Sequence, residues 1–298
     1  MTTKNKIINF TIIFSMAIIS CSAWLCSTFY SQNTSNSETP TQNKVAVPVM
    51  MYHFICENNR CKNKFTISSK TFEDDVVYLK ENGYETIFVS DLIEYTEGKK
   101  DLPKKPILLT FDDGAYNNYV FAFNIAKKHN IKFIFSPIIF ETERYSKTED
   151  ENANYSHATW QEISEMANSG LVEIQNHTYN MHSCKKPRVG CTKKSSETND
   201  EYQLALSQDL TKAQNLIKEH TNFTPTALFY PFGAMSDKSE QIVKSLGFKA
   251  TFGCESGINF IGRSPDELFK LKRYLRPPYI PSQKFFAQID KTVQKYNV

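Results

Sequence analysis

Several things are missing from this 298-residue sequence, and each absence narrows what the chain can do. No run of basic residues concentrates its charge. The net charge of +3 includes +2 from the first 45 residues, Lys4, Lys6 and Lys44 against Glu38, which leaves the remainder at +1. A near-neutral domain without a basic stripe lacks the electrostatic footprint of a nucleic-acid binder. No unit of roughly 20–50 residues recurs, which argues against solenoids and propellers. The seven cysteines lack the spacing of zinc ribbons. Cys21 and Cys26 lie in the N-terminal segment. Cys56 and Cys61 bracket one polar loop and Cys184 and Cys191 another, so two local disulfides are one of three pairings open to these four in an oxidising compartment. Cys254 is then left over, and a buried thiol is expected there.

Residues 1–45 do not read as folded protein. Lys4 and Lys6 precede an uncharged stretch from Ile7 to Tyr30, and a bilayer span takes about 20 apolar residues. Within it Ile18-Ile19-Ser20-Cys21 fits a lipoprotein cleavage box. Residues 1–30 are therefore expected to be an uncleaved membrane anchor or a lipid anchor, with a simple cleaved signal as a third reading. All three send the chain to the outer face of the membrane or beyond. Residues 31–45, rich in Ser, Asn, Thr and Gln, read as a flexible linker with little to bury. Residues 46–298 are long enough for one large domain with a substantial core.

From Val45 onward strand-like and helix-like segments alternate. Strands are expected at Val47 to Tyr52, Thr86 to Val89, Ile107 to Phe111, Lys132 to Ser136, Leu171 to Gln175, Thr226 to Tyr230 and Lys249 to Phe252. Helical patterns lie between them, among them one opened by the capping box Thr159-Trp160-Gln161-Glu162. Phe140 to His157 and Lys185 to Tyr202 read as polar excursions. Repeated strand-then-helix units favour a parallel sheet. About seven of them point to an α/β fold closed, or nearly closed, into a (β/α) barrel, with an open doubly wound sheet as the alternative.

The residues with chemistry cluster at strand ends. Thr110-Phe111-Asp112-Asp113-Gly114 places two adjacent carboxylates at the exit of a buried strand. Side chains alternate along a strand, so one acid can hold a metal while its neighbour moves protons. Asn176-His177-Thr178-Tyr179-Asn180-Met181-His182 follows another apolar run. Five residues apart on a helix, the two histidines would sit about 140° around the axis and could not share an ion; in a loop leaving a strand they can converge. One Asp and two His form a three-ligand set with positions left open, as hydrolytic metal sites require. His53 and Tyr230-Pro231-Phe232-Gly233 end two further strands. In barrel enzymes catalytic residues come from the C-terminal ends of several strands. His129, His157 and His220 look like helix-end or surface residues without a role.

With these segments in hand, Met50-Met51-Tyr52-His53, TFDDG, the His-Thr-x-x-x-His stretch and Phe229-Tyr230-Pro231-Phe232-Gly233, in this order, the chain resembles the polysaccharide deacetylases, or NodB-homology carbohydrate esterases. The resemblance runs from about Val47 to Tyr279. The five-residue histidine spacing together with Tyr-Pro-Phe-Gly is most similar to the branch that deacetylates poly-N-acetylglucosamine. The resemblance implies a distorted NodB-type barrel over residues 46–298. It also implies a divalent ion, zinc first, with Co2+, Ni2+ or Mn2+ as alternatives, held by Asp113, His177 and His182. Asp112 would be the general base and the backbone N–H of Phe232 an oxyanion donor.

Two departures from the family stand out. Its third motif usually carries an arginine that orients the base, and here Phe229 occupies that place; Arg273 or Arg276 are the candidates to replace it. Its late Leu-x-His general acid is missing, because no histidine follows His220. His53, a water or protonated Asp112 would have to serve, and slow turnover is expected. Trp160 and Tyr230 are candidates for stacking on a sugar. The expected partners are an N-acetylglucosamine-containing polysaccharide and, through the N-terminal anchor, the membrane; a monomer is expected. The expected reaction is release of acetate from N-acetylhexosamine units. The rivals are an O-acetyl esterase and a glycan-binding domain that kept its metal but lost catalysis.

Overall fold

Pro106–Asp113 is the longest strand, and its two faces organise everything around it. Ile107, Leu109 and Phe111 join a core shared with helices, whereas Leu108 joins a second core with Val49, Ile134, Phe229 and Phe252. A strand buried on both sides is what a parallel sheet wrapped by helices demands. The computed structural model describes residues 44–57, 63–148 and 150–296, which belong to one compact unit beginning at Lys44.

Seven strands carry the architecture: β1 (Val49–Tyr52), β2 (Pro106–Asp113), β3 (Phe133–Pro137), β4 (Val172–Ile174), β5 (Ala227–Phe229), β6 (Ala250–Phe252) and β7 (Tyr274–Leu275). Parallel pairing runs β7–β1–β2–β3–β4, with Met50 opposite Leu109 and Phe111 opposite Phe135, and β5 pairs with β6. The two seams are thinner. Asn176 bridges to Leu228 between β4 and β5, and Phe252 bridges to Leu271 on the way from β6 to β7. The ring is thus a distorted (β/α) barrel, continuous on one side and held by single bridges on the other.

Helices cover the outside: α1 (Ser69–Glu81), α2 (Val89–Thr96), α3 (Asn124–His129), α4 (Ile139–Thr148), α5 (Trp160–Asn168), α6 (Asn199–Thr221), α7 (Ser239–Ser245) and α8 (Ser282–Tyr296). Ser68 caps α1 by accepting the Thr71 amide at 3.0 Å. The expected box at α5 forms through Glu162, which accepts the Thr159 amide at 2.6 Å.

Four expectations are corrected. Thr86 to Val89 is not a barrel strand: only Glu85–Thr86 pairs, with the start of β2, and Val89 opens a helix. The reason is tertiary. Buried Glu173 on β4 accepts the amides of Val89 and Ser90 and fixes a helix N-terminus there. The seventh strand is instead β7, in the charged stretch that follows Lys270. The polar excursions are shorter than expected, because α4 forms within 139–148 and a box between Thr198 and Glu201 starts α6 at Asn199.

The fourth correction concerns the cysteines. Cys56 is disulfide-bonded, and its expected partner Cys61 lies outside the described residues. Cys184 and Cys191 carry free thiols, so that loop is not bridged. Cys254 is free and exposed rather than buried. The N-terminal anchor and linker also lie outside the described residues. Among the described residues, no helix is long and apolar enough to cross a membrane.

Candidate active site

β2 delivers Thr110 and Asp112 on the face that also bears Leu108, and Asp112 is nearly fully buried. Its carboxylate meets the Arg273 guanidinium side by side, Nη1 to Oδ1 and Nη2 to Oδ2, both at 2.8 Å. Arg273 is itself fixed, donating from Nε to the Gly253 carbonyl at 2.8 Å and from Nη1 to Thr110 Oγ1 at 3.2 Å. Ser136 on β3 adds a hydroxyl donor to Asp112 at 3.0 Å. Burial alone would raise the pKa of Asp112. The Arg273 guanidinium, with help from His177 and His53, overrides it and holds the carboxyl at about 2.

Asp113 breaks the alternation expected of a strand. Its φ of 70° is left-handed, a conformation that costs a non-glycine residue of order 1–3 kcal/mol. The turn swings Asp113 to the histidines, where Oδ1 lies 3.4 Å from His177 Nε2 and 3.0 Å from His182 Nε2. Gly114 must be glycine to follow, because a Cβ there would stand 2.6 Å from Pro137 Cβ. His157 secures the turn: its ring nitrogen Nδ1 lies 2.9 Å from the Asp113 carbonyl. This residue was expected to have no role, and nothing in its local pattern distinguishes it.

His177 is buried at the end of β4, and its Nδ1 contacts the Phe229 carbonyl at 2.7 Å. A carbonyl only accepts, so Nδ1 carries the proton and Nε2 presents a lone pair towards Asp113. Thr178, at φ 73°, turns the chain so that His182 comes back to within a ring-centroid distance of 5.2 Å of His177. One donor atom each from Asp113, His177 and His182 fall within 4.8 Å of one another. Zinc bonds of roughly 2.0–2.1 Å in a tetrahedron would separate neighbouring donors by about 3.3 Å. The spacings here fit a divalent ion, and two imidazoles with one carboxylate are a donor set suited to zinc.

The remaining expected residues divide. Phe229 stands where the family arginine was looked for, and Arg273 lies over its ring at 5.1 Å, so the guanidinium arrives from β7's side instead. Arg276 does not reach the site; it pairs with Asp75. Phe232 sits in a left-handed turn at φ 59°, with its ring 4.5 Å from His182. His53 leans on Phe65 at 4.9 Å, and its buried Nδ1 has no hydrogen-bond partner. Burial lowers its basicity, against the pull of Asp112 and Asp113. Tyr230 and Trp160 are corrections. Tyr230 is fully buried in a core with Tyr202, Leu206 and Cys191, and the face of Trp160 is covered by His220 at 4.2 Å. Neither ring offers a sugar a free surface. Cys254 adds an unforeseen thiol 3.9 Å from Arg273 Nη2.

Comparison with known proteins agrees with this geometry. The chain is 27% identical over 248 residues to an Escherichia coli O157:H7 protein named poly-beta-1,6-N-acetyl-D-glucosamine N-deacetylase, covering 77% of this chain and 36% of that one. A Staphylococcus aureus (strain MRSA252) protein of the same name is 25% identical over 206 residues, covering 68% of this chain and 66% of that one. The chain thus spans about a third of the length of the first relative and about two thirds of the second. A solved de-N-acetylase from Aggregatibacter actinomycetemcomitans superposes with a TM-score of 0.69 at 25% identity, over 83% of this chain and 100% of that one. The polysaccharide deacetylase family profile matches residues 99–251, just over half of the chain, and the chain belongs to that family.

Proposed function

We propose that the chain is a metal-dependent N-deacetylase that releases acetate from N-acetylglucosamine units of an extracytoplasmic polysaccharide. The convergence of Asp113, His177 and His182 beside the Asp112–Arg273 pair carries this reading. The names of the relatives, both poly-beta-1,6-N-acetyl-D-glucosamine N-deacetylases, support the substrate class.

Asp113 Oδ1 and the Nε2 atoms of His177 and His182 would hold the ion, with zinc the best match to the donors. Bound there, it supplies Lewis acidity to the acetyl carbonyl and makes water more acidic. Asp112 takes the proton as water attacks the carbonyl carbon. Arg273 and Ser136 fix the direction from which the carboxylate does so. The charge gathering on the carbonyl oxygen is met by the Phe232 backbone amide. Asp112, protonated by that step, returns the proton to the leaving amine as the C–N bond breaks. This dispenses with the missing late histidine. The N-terminal segment would tether the domain outside the cytoplasm.

Acetate release from N-acetylglucosamine oligomers by the full chain, with and without chelator, tests this. Chelation should abolish release and added Zn2+ restore it, while matched acetyl esters should react more slowly than the acetamides. His177→Ala should lose metal and activity together. Undiminished release in the presence of a strong chelator would contradict the proposal.

A further inference from the structure

The turn between the two histidines is built almost without backbone ladder bonds. Residues 178–181 each have an amide hydrogen, and in every case a side-chain oxygen accepts it. Asn176 Oδ1 accepts from Thr178 at 2.8 Å, and Thr178 Oγ1 accepts from Met181 at 3.1 Å. Both acceptors belong to the turn itself. The middle pair is held from outside. Asp209, on α6, takes the Tyr179 amide on Oδ1 at 2.8 Å and the Asn180 amide on Oδ2 at 2.9 Å.

The same stretch of α6 grips the turn twice more. Asn176 Nδ2 donates to the Leu210 carbonyl at 3.1 Å, and Lys212 Nζ lies 3.6 Å from the centre of the Tyr179 ring. Across the turn, the carbonyls of Thr178 and Tyr179 accept from Ile139 and Phe140, at the start of α4. Among the described residues, Asp209 is therefore the one carboxylate that ties this turn to a long helix, midway between a ligand on a strand and a ligand on a loop.

We propose that Asp209 is a positioning residue for the metal centre. By accepting two successive amides it fixes the turn from His177 to His182, and so sets the reach of His182 to an ion shared with Asp113. The inference rests on the metal-centre reading above but names a residue that touches neither ion nor substrate. A carboxylate suits the task because only it offers two acceptor oxygens and no donor. An asparagine keeps one acceptor and turns an N–H against the second amide.

The test titrates Zn2+ against a chromophoric chelator for the full chain and for Asp209→Ala, Asp209→Asn and His177→Ala. Outer residues of metal sites typically change affinity about 10–100-fold. Asp209→Ala should weaken Zn2+ binding by that much, Asp209→Asn by less, and the Co2+ absorption spectrum at saturation should shift in both. A purely structural Asp209 would lower the thermal midpoint of metal-free and metal-loaded protein alike and leave affinity and spectrum unmoved, which would overturn the inference. Should Asp209→Ala not fold, Asp209→Asn decides by the same two readings. If His177→Ala loses metal while the Asp209 variants bind like the parent, only this inference falls. If all three bind like the parent, the metal centre falls and the inference with it.

Discussion

Arg273 and Arg276 stand three residues apart, and each buries its guanidinium against an aspartate, yet the two pairs do different work. Asp112 shares its surroundings with Thr110, Ser136 and the charges of His177 and His53, and its carboxyl is drawn down to about 2 despite burial. Asp75 has Arg276, the Tyr52 hydroxyl at 3.1 Å and the start of α8 at Ser282, and burial prevails, pushing its carboxyl up. One pair lies beside two imidazoles and keeps its carboxyl ionised, able to accept a proton. The other joins α1 to the C-terminal helix. A buried ion pair says little by its own geometry; what else reaches the carboxylate decides its use.

The sharpest way to break this contrast is Asp112→Asn. Loss of a general base should lower acetate release about 10²–10⁴-fold, with bound metal per chain unchanged by elemental analysis. Loss of metal as well would move Asp112 into the ligand set. Next, Asp75→Ala strips one partner from a fully buried pair and should cost about 3–5 kcal/mol in denaturant unfolding, while kcat of the folded fraction stays put. A large fall in that kcat would erase the distinction between the pairs. Replacing both partners, Asp75→Leu with Arg276→Met, should recover most of that stability, since an apolar substitute for a buried pair is often neutral or stabilising. The smallest effect belongs to Tyr230→Phe, which removes a buried hydroxyl without a hydrogen-bond partner. Stability should change by less than about 1 kcal/mol and KM for the oligomer not at all; a clear rise in KM would return Tyr230 to the substrate site.

Asp113, His177 and His182 were legible because their residue types and their places at strand exits are local properties. The barrel was legible from the alternation of apolar strands with helical patterns. β7 was not, because it is only two half-exposed residues, Tyr274 and Leu275, set among Lys270, Lys272, Arg273 and Arg276. Arg273 could be suspected only from the missing arginine at Phe229; no local pattern separates it from Arg276. Tyr230 and Trp160 misled because an aromatic ring beside a motif looks the same in sequence whether it faces a sugar or a core. Asp209 left no signal at all, since an aspartate on a polar helix face is ordinary until the turn it holds is seen.

The order of residues along the chain determined the strand-and-helix alternation, the paired acids and the two histidines, all of them set by spacing and residue type within short windows. Tertiary packing alone decided which arginine meets Asp112, which nitrogen of His177 is left open, and how Asp113 turns against its strand. Those outcomes depend on contacts between residues tens to more than a hundred positions apart, and they exist only once the ring of strands has closed.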